Sequence, residues 1–478
     1  MGNNLFKKFL EFGIGSFATL FIGFISSPII TRLISPEENG KFSMFITIGN
    51  LLMLIMMLGL DQAFVRFFYD EIEENRIALF KRCIIIPLFI SIFSSLIMLF
   101  LYKPISSYII GKVSFLIVIL LGIYLTTSVI FRFLMLQIRM MQKAKLYSLI
   151  NIIQKVINLI VIMLIFTIEG NSYITLIGGT IIALFISIII AIISEWDIFL
   201  KWNISNKMET KTKELLRYGM PLIFSMAITW IFQSVDRIII KGFVGYSELG
   251  LYNGAMTIIS LLNAAQNTFT IFWIPVSFER YSNNPNDKNF FKNTNEIVAM
   301  FMLLIAVLLI ASKDIIIYLL GSQYRDSVYI FPFLVFMPIM YTISETTVLG
   351  INFKKKSKEH IKIASIAAIF NIIGNIILVP IFGAKGAAIS TGIAYVIFFG
   401  ARTYISNKYY KVDYNITKFM LLIGMIYILA IYSSFNSFNI IIFIMSLTIV
   451  ITIIIIYRNI VGLIFKNIKL FINNKIKS

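Results

Sequence analysis

The dominant feature of this sequence is a series of apolar stretches, each about 20 residues long, that recur along almost the whole chain. A helix of about 20 apolar residues is long enough to cross the hydrocarbon core of a bilayer. The stretches lack the alternation of apolar and polar residues typical of membrane-spanning strands, which favours helices. Fourteen spans are predicted, near residues 10–34, 43–65, 83–103, 113–135, 146–168, 173–194, 218–243, 251–275, 297–320, 328–350, 361–382, 386–407, 417–434 and 438–457.

Composition excludes most soluble and enzymatic classes. Of the 478 residues, 59% are hydrophobic and 14% are charged, whereas a typical soluble domain is about 25% charged. The single Cys83 and the single His360 rule out a disulfide framework, a cysteine-based metal site and most histidine catalysis. His360 follows a run of lysines and is interpreted as a solvated loop residue. We therefore predict no catalytic residue, no metal site and no cofactor.

The net charge of +19 is explained by membrane topology rather than by a nucleic-acid partner. Lysines and arginines lie between the apolar stretches instead of clustering on a soluble face. If both termini are cytoplasmic, 32 of the 42 Lys and Arg residues fall in cytoplasmic segments, nine fall in outer segments and Lys155 lies within a span. This asymmetry follows the positive-inside rule and predicts a multi-pass protein with both termini inside.

The longest predicted cytoplasmic loop follows the sixth span and separates two similar halves. Residues 35–42 match 245–252 at an offset of 210, and residues 165–170 match 381–386 at an offset of 216. Two matches at nearly one offset indicate an internal duplication. Because each copy has an even number of spans, the copies should be related by an axis along the membrane normal.

The predicted fold class is therefore an all-α polytopic membrane protein, with two six-helix lobes related by a pseudo-twofold axis and two further helices at the C-terminal end. The predicted divisions are an N-terminal lobe at 1–194, a cytoplasmic linker at 195–217, a C-terminal lobe at 218–408, and helices 13 and 14 with a basic tail at 409–478.

Polar side chains within the spans are the candidate functional residues, because each needs a partner or a water-filled cavity. Lys155 lies deepest and is flanked at helical spacing by Asn151 and Asn158. At an offset of 216 it corresponds to Asn371, which Asn375 follows one turn later. The amides are equally consistent with hydrogen bonds that hold helices together. A lysine at mid-bilayer costs at least about 2.5 kcal/mol, which favours a functional role for Lys155.

Two other predicted helices carry polar residues. Asn263, Gln266 and Asn267 share one helical face, a pattern that predicts the wall of an aqueous cavity. Asp236 and Arg237 are adjacent near the end of another span, where they either pair with other helices or extend toward the interface.

The remaining charged residues lie near the ends of their spans. Arg32 lies toward an outer end, and its long side chain can extend to the interface. Asp61 and Glu345 lie toward cytoplasmic ends, and their shorter side chains reach less far. These two acids are therefore candidates for binding a coupling proton or cation.

Signatures of enzymes are absent from the sequence. It contains no Gly-x-x-x-x-Gly-Lys-Ser/Thr phosphate-binding loop and no His-Glu-x-x-His motif. The predicted outer loops are too short to hold the donor and acceptor of a membrane-bound glycosyltransferase or polymerase. The sequence therefore favours a carrier over an enzyme.

Several short segments point to one family. The N-terminal segments are 31–40 (TRLISPEENG) and 58–61 (LGLD), followed by Arg66, and the later ones are 236–237, 248–252 and 382–388. Together they resemble polysaccharide-biosynthesis flippases of the Wzx type, which belong to the multidrug/oligosaccharidyl-lipid/polysaccharide (MOP) exporter superfamily. The resemblance extends over most of the chain and implies two six-helix lobes around a central cavity with an alternating-access cycle.

The resemblance also implies a substrate and a location. Flippases of this type move an undecaprenyl-pyrophosphate-linked oligosaccharide repeat unit to the outer leaflet of the bacterial inner membrane, for O-antigen, capsule or exopolysaccharide assembly. The expected partners are this substrate, membrane lipids, and a polysaccharide polymerase with its chain-length regulator. Because no ATP site is evident, a proton or sodium gradient is the expected energy source. A drug or lipid II exporter of the same superfamily is the alternative, and a membrane-bound glycosyltransferase or polymerase is less favoured.

Within this interpretation each candidate residue has an expected role. Cationic side chains would meet the pyrophosphate or an acidic sugar, and amides would meet sugar hydroxyls. The predicted substrate-binding residues are Arg32, Lys155, Arg237, Asn151, Asn158, Asn263, Gln266, Asn267, Asn371 and Asn375. The predicted ion-coupling residues are Asp61, Asp236 and Glu345.

Overall fold

Helices make up most of the described part of the first half of the chain. A computed structural model describes residues 18–19, 21–196 and 210–462. The helices up to residue 243 are α1 (Phe21–Leu33), α2 (Pro36–Met56), α3 (Leu60–Phe67), α4 (Arg76–Phe100), α5 (Tyr102–Ile110), α6 (Phe115–Met140), α7 (Ala144–Glu169), α8 (Tyr173–Ser194) and α9 (Thr212–Phe243).

The second half has the same character, with more short helices. They are α10 (Tyr246–Asn283), α11 (Lys288–Ala311), α12 (Lys313–Tyr318), α13 (Ser327–Leu334), α14 (Phe336–Thr347), α15 (Leu349–Phe353), α16 (Lys358–Phe382), α17 (Ala384–Asn407), α18 (Ile416–Phe435) and α19 (Ile440–Ile456). Helix α10, with 38 residues, is the longest helix in the described ranges.

The chain is an all-α, multi-pass membrane protein, as the apolar pattern predicts. Within the described residues, eleven helical segments are long and apolar enough to cross a membrane. Two shorter apolar helices, α1 and α19, and the 38-residue α10 occupy the other three predicted positions. Each of the fourteen predicted spans therefore contains helix in the part that the structure describes, and residues 10–17 and 20 of the first span lie outside the described residues.

The span predicted at 43–65 is in fact two helices. Helix α2 begins at Pro36, whose fixed φ suits the first turn of a helix. It ends where Leu58 and Gly59 both adopt positive φ, 48° and 68°, a left-handed conformation that terminates helices. The break places Asp61 in the first turn of the short helix α3 instead of inside a continuous span.

The described residues divide into two compact units, one ending at Asn253 and the other beginning at Gly254. The first has a core of aromatic and aliphatic residues in which Phe64 contacts Phe68, Phe80 and Phe133 edge-on. The second has an aromatic cluster around Trp273 and Phe291. The domain boundaries predicted from the sequence stay a prediction.

The predicted repeat at an offset of 210 corresponds to a reciprocal contact in the first unit. Gly40 of α2 lies against the backbone of Tyr246, and Gly250 of α10 lies against the backbone of Pro36. A methyl group at either glycine would overlap the facing carbonyl oxygen. Residues 36 and 40 correspond to 246 and 250 at this offset, so the two copies of the motif contact each other through equivalent positions.

The offset of 216 for the second match needs correction. Gly170 ends α7 with φ 64° and ψ −143°, and Gly383 ends α16 with φ 61° and ψ −141°. These equivalent backbone turns give an offset of 213. At 213, Asn371 corresponds to Asn158 rather than to Lys155. Matching residue types gave the wrong alignment, because the backbone geometry of a turn cannot be inferred from residue types alone.

Candidate functional site

A cavity of about 410 Å³, lined by both polar and apolar side chains, opens within the first unit. Its wall comes from α2, from the break before α3 and the first turn of α3, from α6 and from α9. The lining residues are Asn50, Met53, Leu54, Met57, Gly59, Asp61, Arg132, Ser225, Met226, Thr229, Trp230 and Gln233. The volume lies within the range of about 300–1,000 Å³ that is typical of small-molecule sites.

Close backbone contacts at two points define where α2 and α9 diverge. Gly59 and Gly219 face each other so closely that a methyl group on either would overlap the backbone of the other. At the opposite end of α2, Gly40 contacts Tyr246 at the start of α10. The cavity residues of α2 and α9 lie between these contacts along the chain. Small residues therefore allow close approach at both ends, while larger side chains separate the helices between them.

Asp61 is the central acid of this cavity and is only 3% exposed. Its Oδ2 accepts hydrogen bonds from Arg132 Nη2 at 3.1 Å and from Gln62 Nε2 at 2.9 Å. Its Oδ1 is buried and accepts no hydrogen bond from the residues that the structure describes. A buried carboxylate oxygen without a partner is costly. This atom is therefore positioned to accept a hydrogen bond or bind a cation.

Arg132 lies at the edge of the helix face that packs into the core. The next residue of α6, Phe133, is fully buried, and successive helical residues point about 100° apart. The Arg132 side chain is consequently 44% exposed while its guanidinium reaches Asp61. It has donors left for an anionic or carbonyl group in the cavity.

The rest of the cavity offers amides, a hydroxyl and an aromatic surface. Asn50 Oδ1 accepts a hydrogen bond from Tyr124 OH at 3.3 Å, which leaves its NH2 group available as a donor. Thr229 bonds the carbonyl oxygen of Ser225 in its own helix. Trp230 supplies a flat apolar surface beside these polar groups. The lining thus combines both hydrogen-bond donors and acceptors with an apolar face.

A second buried ion pair lies in the second unit. Arg402 Nη1 donates to Glu345 Oε1 at 2.8 Å and to Ser344 Oγ at 2.6 Å. The guanidinium also lies about 5.1 Å from the ring centroids of Tyr341 and Phe398. Glu345 is 3% exposed and Arg402 is 5% exposed, so the pair is more deeply enclosed than the one in the first unit.

Asp236 and Arg237 differ in their surroundings. Asp236 is buried and accepts a hydrogen bond from Tyr252 OH at 2.7 Å. Arg237 is partly buried, and its Nε has no hydrogen-bond partner among the described residues. Neither residue lines the cavity of the first unit, although Gln233, one turn earlier on α9, does.

The Lys155 stripe also lies outside this cavity. Within the part of the chain that the structure describes, Lys155 is exposed on α7, and Asn151 and Asn158 are half-buried. Asn151 Nδ2 donates to the carbonyl oxygen of Tyr147, one turn earlier, at 2.8 Å. Arg32 is exposed on α1. Their roles in transport stay predictions.

Asn371 and Asn375 are fully buried between α16 and α17. Asn375 Nδ2 donates to Asn371 Oδ1 at 2.9 Å, and Ser390 Oγ donates to the Asn371 carbonyl oxygen at 2.9 Å. This is the arrangement in which amides join neighbouring helices.

The polar stripe of α10 lies at the surface of the second unit. Asn263 and Gln266 are half-buried and Asn267 is exposed. Gln266 Nε2 donates to Asn267 Oδ1 at 3.3 Å. All three are accessible to solvent or substrate in that unit, which keeps the prediction of a cavity wall open.

Sequence reasoning missed several cavity residues. Arg132 was counted as a cytoplasmic loop charge, yet α6 continues to Met140 and Arg132 lies two turns before its end. Its position inside the predicted span was a signal that could have identified it. Asn50, Trp230 and Gln233 carry no comparable signal, because single polar or aromatic residues occur in many spans.

Comparisons with known proteins agree with this architecture. The family model described as "Polysaccharide biosynthesis protein" matches residues 5–281. A membrane protein of Methanocaldococcus jannaschii, described as uncharacterized, is 24% identical over 435 residues, which cover 84% of this chain and 85% of that protein.

Two solved structures are similar over most of the chain. "Lipid II flippase MurJ, inward closed conformation" has a TM-score of 0.64 at 19% identity, covering 94% of this chain and 99% of that chain. An inward-facing "multidrug resistance MATE family transporter of the MOP superfamily" has a TM-score of 0.58 at 13% identity, covering 82% and 94%. At these identities the similarity shows a shared fold.

Proposed function

The chain belongs to the polysaccharide biosynthesis protein family, and on this basis we propose that it is a flippase for a lipid-linked oligosaccharide. Family membership and the MOP fold confirm the resemblance inferred from the sequence. The proposed substrate is an undecaprenyl-pyrophosphate-linked repeat unit for O-antigen, capsule or exopolysaccharide assembly. The proposed movement is from the cytoplasmic to the outer leaflet by alternating access, in the bacterial inner membrane with both termini cytoplasmic.

One observation carries this proposal, namely a cavity that contains the Asp61–Arg132 ion pair, with a buried carboxylate and a partly exposed guanidinium, inside a unit built from apolar helices. Sugar hydroxyls can accept hydrogen bonds from the Arg132 guanidinium, whose side chain is 44% exposed. They can also accept from the Asn50 amide, and the apolar face of a sugar ring can stack on Trp230. A phosphate oxygen is complementary to the Arg132 guanidinium.

Energy coupling is the second part of the proposal. A proton or sodium ion that binds Asp61 would weaken its attraction for Arg132 and free the guanidinium for an anionic substrate group. Among the three predicted coupling acids, Asp61 alone lines the cavity of the first unit. This supports Asp61 as the main candidate for the ion-coupling residue. Asp236 and Glu345 are kept as further candidates.

The expected partners are membrane lipids and a polysaccharide polymerase with its chain-length regulator.

Gene deletion in the native host tests the proposed activity. We expect the lipid-linked repeat unit to accumulate on the cytoplasmic leaflet and the surface polymer to disappear. Accumulation of a peptidoglycan precursor, or loss of drug efflux without loss of polymer, would favour the alternative exporters. A surface polymer that persists with no accumulated intermediate would refute the flippase proposal.

Substitutions in the cavity test the proposed site. Arg132→Gln removes a charged donor worth about 1.5–3 kcal/mol, so transport should fall about 10- to 100-fold, and Arg132→Lys should retain part of the activity. Asp61→Asn should abolish dependence on the ion gradient. Arg66→Gln is the matched control, because Arg66 pairs with Asp70 at 2.7 Å on an exposed surface of the same unit. Equal effects of Arg132→Gln and Arg66→Gln would contradict the assignment.

A further inference from the structure

A second, strongly basic groove lies at one end of the unit that begins at Gly254, separate from the cavity with Asp61. It has a volume of about 720 Å³ and is formed where α11 and α18 begin and α17 ends. Its charged lining residues are Lys288, Lys292, Lys411 and Asp413. We refer to it below as the basic groove.

The segment that forms one wall of the basic groove is held in a defined conformation. Val412 and Tyr414 are 2% and 4% exposed, whereas Lys411 and Asp413 between and beside them are exposed. This alternation anchors two side chains in the aromatic cluster of the unit and directs the two charges outward. Asn407 fixes the segment further, because its Nδ2 donates to the Val412 carbonyl oxygen at 3.2 Å and its Oδ1 accepts from the Val412 N–H at 3.3 Å.

Positive charge in the basic groove exceeds negative charge. Asp413 Oδ2 lies 3.4 Å from Lys292 Nζ, and the Asn415 backbone N–H together with the Lys292 ammonium keeps the pKa of Asp413 below its ordinary value. Asp413 is therefore ionised and paired with Lys292. Neither Lys288 nor Lys411 forms an ion pair with any residue in the described ranges. Two ammonium groups are thus left without a neutralising partner.

The basic groove lies where apolar helices meet water. Helices α11 and α18 begin there, and an adjoining cavity that shares Lys292 is lined by Ile456 and Tyr457, where α19 ends. Lysines and tyrosines at the ends of spans lie at the level of lipid headgroups. The polar donors Asn289 and Thr417 also line the groove, which gives an anion hydrogen bonds as well as charge.

We propose that the basic groove is a phosphate-binding site at the membrane surface, distinct from the proposed transport cavity. Two unpaired ammonium groups, flanked by an amide and a hydroxyl, complement the charge and acceptor oxygens of a phosphate. The phosphate is carried either by the headgroup of an anionic lipid or by a free ion. Lipid is the closer fit, because the apolar side chain of Ile416, which is 40% exposed, also lines the groove.

The test measures binding of phosphatidylglycerol to the purified full-length protein in detergent, by native mass spectrometry, with phosphatidylcholine as the neutral lipid. A lysine near an anionic lipid surface changes affinity about fivefold. The double variant K288Q/K411Q should therefore bind phosphatidylglycerol about 25-fold more weakly, and K288R/K411R should bind nearly as well as the wild type. The matched control is K354Q/K356Q, which removes two exposed lysines from the loop after α15, outside the basic groove.

Each outcome has a defined meaning. The site is supported if K288Q/K411Q binds phosphatidylglycerol more weakly while K354Q/K356Q does not, and if the K288Q/K411Q protein stays monodisperse on gel filtration. Equal loss in K354Q/K356Q would show that general surface charge attracts the lipid and would overturn the proposal, as would unchanged binding by K288Q/K411Q. If inorganic phosphate, added at the same concentration as phosphatidylglycerol, prevents the lipid from binding, the ligand is a free phosphate ion. If it does not, the ligand is the lipid headgroup. Either result is independent of whether the protein transports oligosaccharide.

Discussion

Replacing either Glu345 or its partner Arg402 with glutamine should destabilise the second unit. Both residues are at most 5% exposed, and their side chains are joined by a 2.8 Å hydrogen bond. Glu345→Gln leaves a buried guanidinium without its anionic partner, and Arg402→Gln leaves a buried carboxylate without its cationic partner.

The expected magnitude follows from the burial of the pair. Removing one partner of a buried pair costs about 3–5 kcal/mol, and about 1 kcal/mol shifts the melting temperature by about 2–4 °C in a unit of roughly 200 residues. Glu345→Gln and Arg402→Gln should therefore each lower the melting temperature by about 6–20 °C.

Thermal unfolding of the purified protein in detergent, followed by tryptophan fluorescence, measures the effect. Trp273 is a suitable reporter, because its Nε1 donates to the Glu345 carbonyl oxygen at 3.2 Å. The double variant should be more stable than Glu345→Gln alone, since it contains no buried charge at this site.

A surface pair provides the control for this experiment. Lys362→Gln removes a charge whose side chain is 64% exposed and pairs with Glu359, so it should cost no more than about 1 kcal/mol. A Glu345→Gln variant that melts like the wild type but loses gradient-dependent transport would refute the structural reasoning. That result would instead support the predicted coupling role of Glu345.

Three further predictions concern other parts of the chain. Gly40→Ala should lower the melting temperature measurably, whereas Gly424→Ala, at a glycine with open space around it, should not; equal behaviour would contradict the close crossing. Lys155→Ala should reduce transport and Lys155→Arg should retain part of it, while normal transport by Lys155→Ala would make the lysine dispensable. The Arg280 guanidinium lowers the pKa of Asp287, so Asp287→Asn should lower the melting temperature at pH 7, and this difference should narrow only below about pH 4; a difference that is constant with pH would exclude the ion pair.

The length of the apolar stretches and the uneven distribution of Lys and Arg between them were enough to predict a multi-pass membrane protein from the sequence. Each span is a local property of about 20 consecutive residues, because the bilayer imposes one length on every crossing helix. Each of the fourteen predicted positions consequently contains helix within the described residues. The repeat at an offset of 210 was also readable, since it depends on a short motif with glycine at one fixed position.

The positions of helix breaks and the alignment of the two repeats were harder to predict from the sequence. The break at Leu58 and Gly59 depends on backbone angles that hydropathy does not report, and it determines where Asp61 lies. The equivalence of Gly170 and Gly383 likewise became evident only from their matching φ and ψ. A three-residue error in offset was enough to pair Asn371 with Lys155 instead of with Asn158.

The sequence by itself determined that this chain is a helical membrane protein and indicated its family, because both depend on local composition and short motifs. Only the tertiary structure decided which polar residues meet. Asp61 and Arg132 are 71 positions apart, and Glu345 and Arg402 are 57 apart. Which residues pair across such sequence separations depends on how the helices pack around their small residues. A buried charge pairs with the group that this packing brings within hydrogen-bond distance.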